Sequence, residues 1–143
     1  MKCVNELKMT LDSKSVNEGF ARVAVSAFVA SLDPNIEELT DIKTAVSEAV
    51  TNCVVHGYAE KEGKIYITVS IFEKDIVRIK IRDRGVGIEN VEKAMEPLFT
   101  TAGGERAGLG FAVMESFMDK VRVKSAPDKG TTVVLEKRIR GKR

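Results

Sequence analysis

The chain has 143 residues, 43% hydrophobic and 31% charged, with 23 Lys plus Arg against 21 Asp plus Glu. This length suits one domain with a hydrophobic core, so we expect a single domain over residues 1–143, and the near balance of charge argues against a dedicated nucleic-acid-binding protein. Two cysteines and one histidine are too few for a four-ligand zinc site or a disulfide framework. No apolar stretch approaches the roughly 20 residues that span a bilayer, and the N-terminus lacks a signal-peptide core, so we expect a cytoplasmic protein without membrane contact.

The first part of the chain predicts an edge strand and two helices. Residues alternate from Cys3 to Asp12, which is typical of a strand. Ser15 with Glu18 forms a capping-box pattern that opens a helix ending near Leu32, and the turn before Ile36 opens a second helix ending near Gly57. The apolar stripe predicted to bury the first helix comprises Val16, Phe20, Val23, Ala24, Ala27, Phe28 and Leu32.

The rest of the chain predicts strands around one further helix. Alternating residues over 65–71 and 77–81 predict a hairpin, residues 88–107 indicate a mobile loop, and a helix is predicted to begin at Gly108. Two final strands are expected over 121–125 and 131–135. Because the order lacks a repeated β-α-β unit, it predicts an α+β two-layer sandwich with the helices on one face of the sheet.

Glu48 and Asn52 are the first candidate functional pair. They lie one turn apart on the second predicted helix, away from its apolar stripe. An Asn carbonyl oxygen can bind hydrated magnesium and a Glu carboxylate can accept a proton, which is a pairing that suits phosphoryl transfer. An ordinary solvent-exposed glutamate would give the same pattern.

Two glycine-containing segments are the next candidates. Asp83 ends a predicted strand before Gly85 and Gly87, where a carboxylate can accept a hydrogen bond from an exocyclic amine and glycines let a flat ligand approach. A simple hairpin-ending turn is the alternative. Gly108-Leu109-Gly110, after Arg106, offers backbone amides at a helix start to an anion, although many helices begin at glycine. Neither segment matches a Walker loop or a dinucleotide fingerprint.

Together with Thr131 and Thr132, these motifs occur in an order that resembles the ATP-binding family of gyrase B, Hsp90, histidine kinases and MutL, called GHKL. The stretch from Ser47 to Tyr58 is similar to the N-box of the bacterial anti-sigma serine kinases, and the resemblance extends through Pro97-Leu98-Phe99-Thr100-Thr101 and from Gly108 to Asp119. It implies a two-layer sandwich with a mixed, mainly antiparallel sheet.

The resemblance also implies roles for individual residues. Glu48 would be the general base toward a serine hydroxyl, and Asn52 would hold Mg²⁺. The nucleotide-binding residues implied for ATP are Asn52, Asp83, Gly85, Gly87, Thr100, Thr101, Arg106, Gly108, Leu109, Gly110, Thr131 and Thr132. Between Thr101 and Arg106 the lid is shorter and more glycine-rich than in the family.

The implied partners are a sporulation sigma factor, an anti-anti-sigma protein that accepts phosphate on a serine, and a second copy of the chain. Glu18 and Arg22 would lie on the partner surface, although a solvated polar helix face explains them equally well. The basic C-terminal run is interpreted as a tail that does not bind nucleic acid. Two alternatives remain: a nucleotide-gated binding module without kinase activity, and a histidine-kinase-like catalytic module, whose phosphoacceptor would lie on another polypeptide because His56 is the single histidine here.

Overall fold

The computed structural model describes residues 1–59, 61–95 and 104–141, and of residues 104–108 it describes the backbone alone. The strands are β1 (Cys3–Asp12), β2 (Lys64–Phe72), β3 (Ile76–Asp83), β4 (Lys120–Ala126) and β5 (Gly130–Arg138). The helices are α1 (Val16–Val29), α2 (Ile36–Asn52), α3 (Val91–Ala94) and α4 (Gly104–Phe117); a 3-10 turn (Ala30–Leu32) follows α1 and a π-helical turn (Cys53–Gly57) extends α2.

The strands form one five-stranded sheet in the order β1-β2-β3-β5-β4. All four pairings among the described strands are antiparallel, so the sheet is purely antiparallel rather than mixed. β1 pairs with β2 alone, which confirms the predicted edge strand. The register sets Ile67 of β2 opposite Ile81 of β3, and Ile81 opposite Val133 of β5. Side chains alternate in direction along a strand, so these residues form one apolar face.

The helices pack on that apolar face, as the α+β two-layer prediction requires. α2 is central and contacts both α1 and α4. Its side chains Ile42, Val46 and Val50 are fully buried at helical spacing, which confirms the predicted stripe. A capping box begins this helix: Glu38 N donates to Asn35 Oδ1 at 2.7 Å, and Asn35 N donates to Glu38 Oε1 at 3.0 Å.

The predicted apolar stripe of the first helix is buried only in its second half. Val16, Phe20 and Val23 are 78%, 56% and 61% exposed, whereas Phe28 and Leu32 are partly buried against the core. The fully buried side chains are Ala21, Val25 and Val29, so the helix is turned to pack an adjacent apolar face on α2 and the sheet. Ser15 makes no side-chain capping bond, so the predicted capping box is also wrong.

The segment predicted as a mobile loop contains helical structure. α3 begins after Asn90, whose side chain accepts from Lys93 N at 3.0 Å. α4 begins at Gly104 rather than Gly108, because the intervening Glu, Arg and Ala are strong helix formers. Thr100 and Thr101 lie outside the described residues. None of the described helices is long and apolar enough to cross a membrane.

Candidate functional site

The end of α2, the turn after β3 and the start of β5 meet beside α4 in one small cavity. The cavity is lined by side chains that include those of Asn52, Cys53, His56, Asp83, Phe111 and Thr131. The space they enclose is ≈ 40 Å³, enough for a few water molecules. A nucleotide base would therefore need one wall to move outward.

Asp83 is the buried carboxylate of this cavity, with 3% of its surface exposed. Its Oδ1 accepts the backbone N–H of Gly85 at 2.9 Å and that of Thr131 at 3.3 Å. Burial raises the pKa of Asp83, and these two backbone donors oppose that rise. The sheet register brings them together, since Asp83 lies opposite Thr131. The structure thus confirms that these positions are neighbours.

The turn after Asp83 packs so closely on its surroundings that its two glycines are required. A Cβ on Gly85 would lie 1.8 Å from the carbonyl oxygen of Gly57, at the end of the π-helical turn. Gly87 has a φ of +75°, and a Cβ there would lie 1.9 Å from the Ala126 carbonyl oxygen. Val86 N donates to the Gly57 carbonyl at 2.8 Å. The backbone of this turn is therefore held directly against the end of α2.

Glu48 and Asn52 lie against Gly110 of α4, where a larger side chain would crowd them. A Cβ on Gly110 would lie 3.2 Å from Glu48 Oε2 and 3.3 Å from both Asn52 Oδ1 and Nδ2. Asn52 Nδ2 is buried and has no hydrogen-bond partner among the described residues. A buried amide donor in this state has lost its hydration without compensation, which fits a site for an anionic oxygen.

The segment from Gly108 to Gly110 does not begin a helix, so it does not form the anion site that was predicted there. Gly108, Leu109 and Gly110 lie inside α4, so their backbone N–H groups belong to its interior ladder rather than to its free first turn. Leu109 is 53% exposed. For Arg106 the structure describes the backbone alone. Of these predicted residues, the structure brings Gly110 to Glu48 and Asn52.

The two threonines of β5 separate to opposite faces of the sheet. Thr131 lines the cavity, and its hydroxyl lies 2.8 Å from the hydroxyl of Ser125. Thr132, one position further along β5, points to the uncovered face because strand side chains alternate. Of the two threonines predicted to contact nucleotide, Thr131 is therefore the one on the cavity side of the sheet.

The sequence analysis did not identify Tyr58, whose hydroxyl joins the turn after β3 to the start of β2. Its hydroxyl accepts Arg84 N at 2.7 Å and donates to the Lys64 carbonyl at 2.5 Å. Cys53 was also not identified; it is 3% exposed in the cavity wall, and its pKa is raised well above its usual value by burial. The N-box stretch contains both residues, but no periodicity distinguishes them.

Glu18 and Arg22 lie on α1 where it crosses α2. The Glu18 carboxylate accepts the hydroxyl of Ser47, and Arg22 lies 3.8 Å from the same carboxylate. Arg22 and Glu48 line a second groove, between α1 and α2. The predicted partner residues are thus adjacent to the predicted base, and Glu18 is engaged within the chain.

A sequence profile described as Histidine kinase-like ATPase domain matches residues 10–137. The chain belongs to this family of ATP-binding domains. A relative from Clostridium perfringens named Anti-sigma F factor is 54% identical over 136 residues, covering 94% of this chain and 97% of the relative. A Geobacillus thermodenitrificans protein of the same name is 54% identical over 137 residues, covering 94% and 93%. These matches place the chain among the anti-sigma F factors.

Solved structures share the fold at lower identity. The RsbU and RsbW domains of a Mycobacterium tuberculosis protein align with a TM-score of 0.69 and 23% identity, over 95% of this chain and 32% of that one. A histidine kinase domain from Erythrobacter litoralis aligns with a TM-score of 0.57 and 18% identity, over 87% and 60%. Both likenesses concern the arrangement of helices and sheet.

Proposed function

We propose that this protein binds and inhibits a sporulation sigma factor in its ATP-bound state, and uses Mg-ATP to phosphorylate a serine of its anti-anti-sigma antagonist. The single observation that carries the proposal is the approach of Glu48 and Asn52 to Gly110, beside a buried Asp83. This arrangement sets a proton acceptor, an oxygen ligand and the hydrogen-bonding carboxylate of Asp83 along one side of α2.

The Asp83 turn supplies recognition of the adenine. The exocyclic amine would donate to the Asp83 carboxylate, and Gly85 and Gly87 would hold the turn that carries this carboxylate against the end of α2 and against Ala126. Thr131, whose hydroxyl already lies beside Ser125, would contact the ring edge. The family resemblance suggests further residues that would contact the phosphates of ATP. They are Thr100, Thr101, Arg106 and Gly108.

The residues present also fit a magnesium ion. No group of three or more His, Cys, Asp or Glu side chains that could hold a metal occurs among the described residues. Mg²⁺ needs no such cage, because it is commonly bound by one or two protein oxygens together with substrate phosphates. Asn52 would provide that protein oxygen, while its buried Nδ2 would donate to a phosphate oxygen. When bound, the ion would neutralise charge on the phosphates.

Glu48 performs the proton transfer in this scheme. The acceptor serine oxygen forms a bond to the γ-phosphorus while the bond from that phosphorus to the bridging oxygen breaks. The serine proton passes to the Glu48 carboxylate, and ADP is the leaving product. Because the phosphoryl group moves directly, the protein needs to position the reactants rather than form a covalent intermediate.

The partners follow from the relatives' name and from the surface. An anti-sigma F factor binds a sigma factor by name, and we place the same partner on this chain, in the cytoplasm. The unpaired edge of β1 would allow a second copy to extend the sheet, giving a homodimer.

The decisive experiment is transfer of labelled γ-phosphate from Mg-ATP to a purified anti-anti-sigma protein. Wild type is compared with Glu48→Gln, which keeps the size of the side chain and removes its basicity. We expect acid-stable phosphoserine from the wild type, and loss of transfer with retained ATP affinity in the variant. ATP binding without transfer by either protein would instead support a nucleotide-gated binding module. Acid-labile label would support a histidine-kinase-like module.

A further inference from the structure

A second groove lies between α1 and α2 and ends at the proposed catalytic base. It has a volume of ≈ 440 Å³ and receives Arg22 from α1 and Lys43 and Glu48 from α2. This volume is within the range of sites that bind small ligands or short peptide segments. Because the carboxylate of Glu48 also lies against the position of Gly110, this one side chain connects the groove with the nucleotide side of α2.

Most polar groups in the groove already have partners within the protein. The hydroxyls of Thr40 and Thr44 donate to the Ile36 and Thr40 carbonyls at 2.8 and 2.9 Å. The Ser47 hydroxyl donates to Glu18, whose carboxylate also lies 3.8 Å from Arg22. These three hydroxyls therefore offer little to a ligand.

Two charged groups in the groove remain available. Neither Lys43 nor Glu48 forms an ion pair or a hydrogen bond with any residue that the structure describes, and both side chains are half-buried. A partly desolvated ammonium without a counter-ion gains free energy when a carboxylate is supplied to it. Val23, which is 61% exposed, adds one apolar side chain to the lining of the groove. A polypeptide can cover Val23 while its carboxylate pairs with Lys43, whereas a free inorganic anion would leave Val23 exposed.

We propose that Lys43 determines acceptor specificity by binding an acidic side chain two or three residues from the serine that is phosphorylated. This inference rests on the proposed kinase function. Lys43 and Glu48 are five positions apart on α2, which separates them by about 7.5 Å along the axis and by about 140° around it, so they flank the groove from two sides. An extended segment advances about 3.3 Å per residue, so a serine at Glu48 sets its second or third neighbour level with Lys43, whose flexible stem can reach across the groove.

The test measures steady-state phosphorylation of a purified anti-anti-sigma protein. Lys43→Met keeps the aliphatic stem and removes the charge, Lys43→Arg keeps the charge, and Lys80→Met removes one charge from the exposed face of β3 as the matched control. We expect Lys43→Met to raise the KM for the acceptor about tenfold and to leave the ATP dissociation constant unchanged. Lys43→Arg restores most of the loss, and Lys80→Met has no effect.

A second variant, in the acceptor, identifies the pair. Replacing the acidic residue near its serine by the neutral amide is expected to raise the KM of the wild-type kinase to the same extent. Lys43→Met should then cause no further loss. Independent, additive losses would overturn the inference, as would an acceptor that has no carboxylate within three residues of its serine.

Failure of the inference is distinguishable from failure of the kinase function. If the wild type binds ATP but transfers no phosphate, the proposed function falls. The acceptor's affinity for the ATP-bound protein, measured by calorimetry, then tests Lys43 alone. Equal affinities of wild type and Lys43→Met would overturn the inference in that case.

Discussion

Gly85→Ala tests whether the close packing of the Asp83 turn on α2 supports nucleotide binding. The added Cβ would lie 1.8 Å from the Gly57 carbonyl oxygen, and real contacts of this kind are essentially never under 3.0 Å. Both atoms concerned are bound rigidly to the backbone, so the turn itself must move. That movement breaks the bond from Val86 N to the Gly57 carbonyl and displaces Gly85 N from Asp83.

The expected magnitude follows from these two losses. A buried hydrogen bond that is broken without replacement costs about 1–3 kcal/mol, and the repacking adds a similar amount. We therefore expect Gly85→Ala to lower the free energy of unfolding by about 2–6 kcal/mol, counting the Val86 bond as broken and adding the repacking. ATP affinity should fall at least about tenfold, because the carboxylate loses its orientation.

The assays are urea denaturation and calorimetric titration with Mg-ATP. Gly19→Ala in α1 is the matched control, since a Cβ there meets only Arg22 at 3.9 Å. That variant should be more stable than wild type by about 0.5–1 kcal/mol, with unchanged ATP affinity. If Gly85→Ala binds ATP as tightly as wild type, the turn does not hold the base and the argument is refuted.

Three further predictions concern neighbouring groups. Asn52→Ala should weaken Mg-ATP binding more than it weakens binding of ATP in chelator, because the proposed metal ligand is lost; equal losses in the two titrations would contradict its role. Burial raises the pKa of Asp83, so ATP affinity should decline as the pH falls through that raised pKa, and Asp83→Asn should abolish this pH dependence of the affinity. Backbone donors at Asn35, Arg140 and Gly141 outweigh burial and lower the pKa of Glu38. A lowered pKa in the folded state means that Glu38 contributes stability above its unfolded pKa and loses it as the pH falls through the folded one. Glu38→Gln should therefore cost about 1–3 kcal/mol near neutral pH and flatten the acid limb of a pH–stability curve, and an unchanged limb would show that Glu38 is not the group responsible.

The helices illustrate how far periodicity predicts packing. On α2 the apolar residues form one stripe, so hydropathy alone identified the buried side from Ile42 to Val50. On α1 apolar residues occur on two sides, and Val16, Phe20 and Val23 of the predicted stripe remain exposed. Hydropathy cannot decide which of two apolar helix faces is buried, because that depends on which side chains fit the surface they pack against.

The candidate site shows a comparable division. Glu48, Asp83 and Gly85 were identified from residue type and spacing, and the structure brings the last two into contact. The roles of Thr131 and Thr132 depended on strand register, which set one in the cavity and the other on the open face. The start of α4 depended on whether the helix continued past Gly108 toward Gly104, which local glycine content cannot decide.

By itself the sequence determined the order of the five strands and of α1, α2 and α4, the edge position of β1 and the residue types that the proposed phosphoryl transfer would use, because these depend on local periodicity and on side-chain chemistry. Only the tertiary structure decided that Tyr58 holds the turn after β3, that Gly85 contacts Gly57, and that a groove runs from Lys43 to Glu48. Each of these contacts joins segments that are brought together by packing, and packing depends on shape and volume across the whole core rather than on any local pattern.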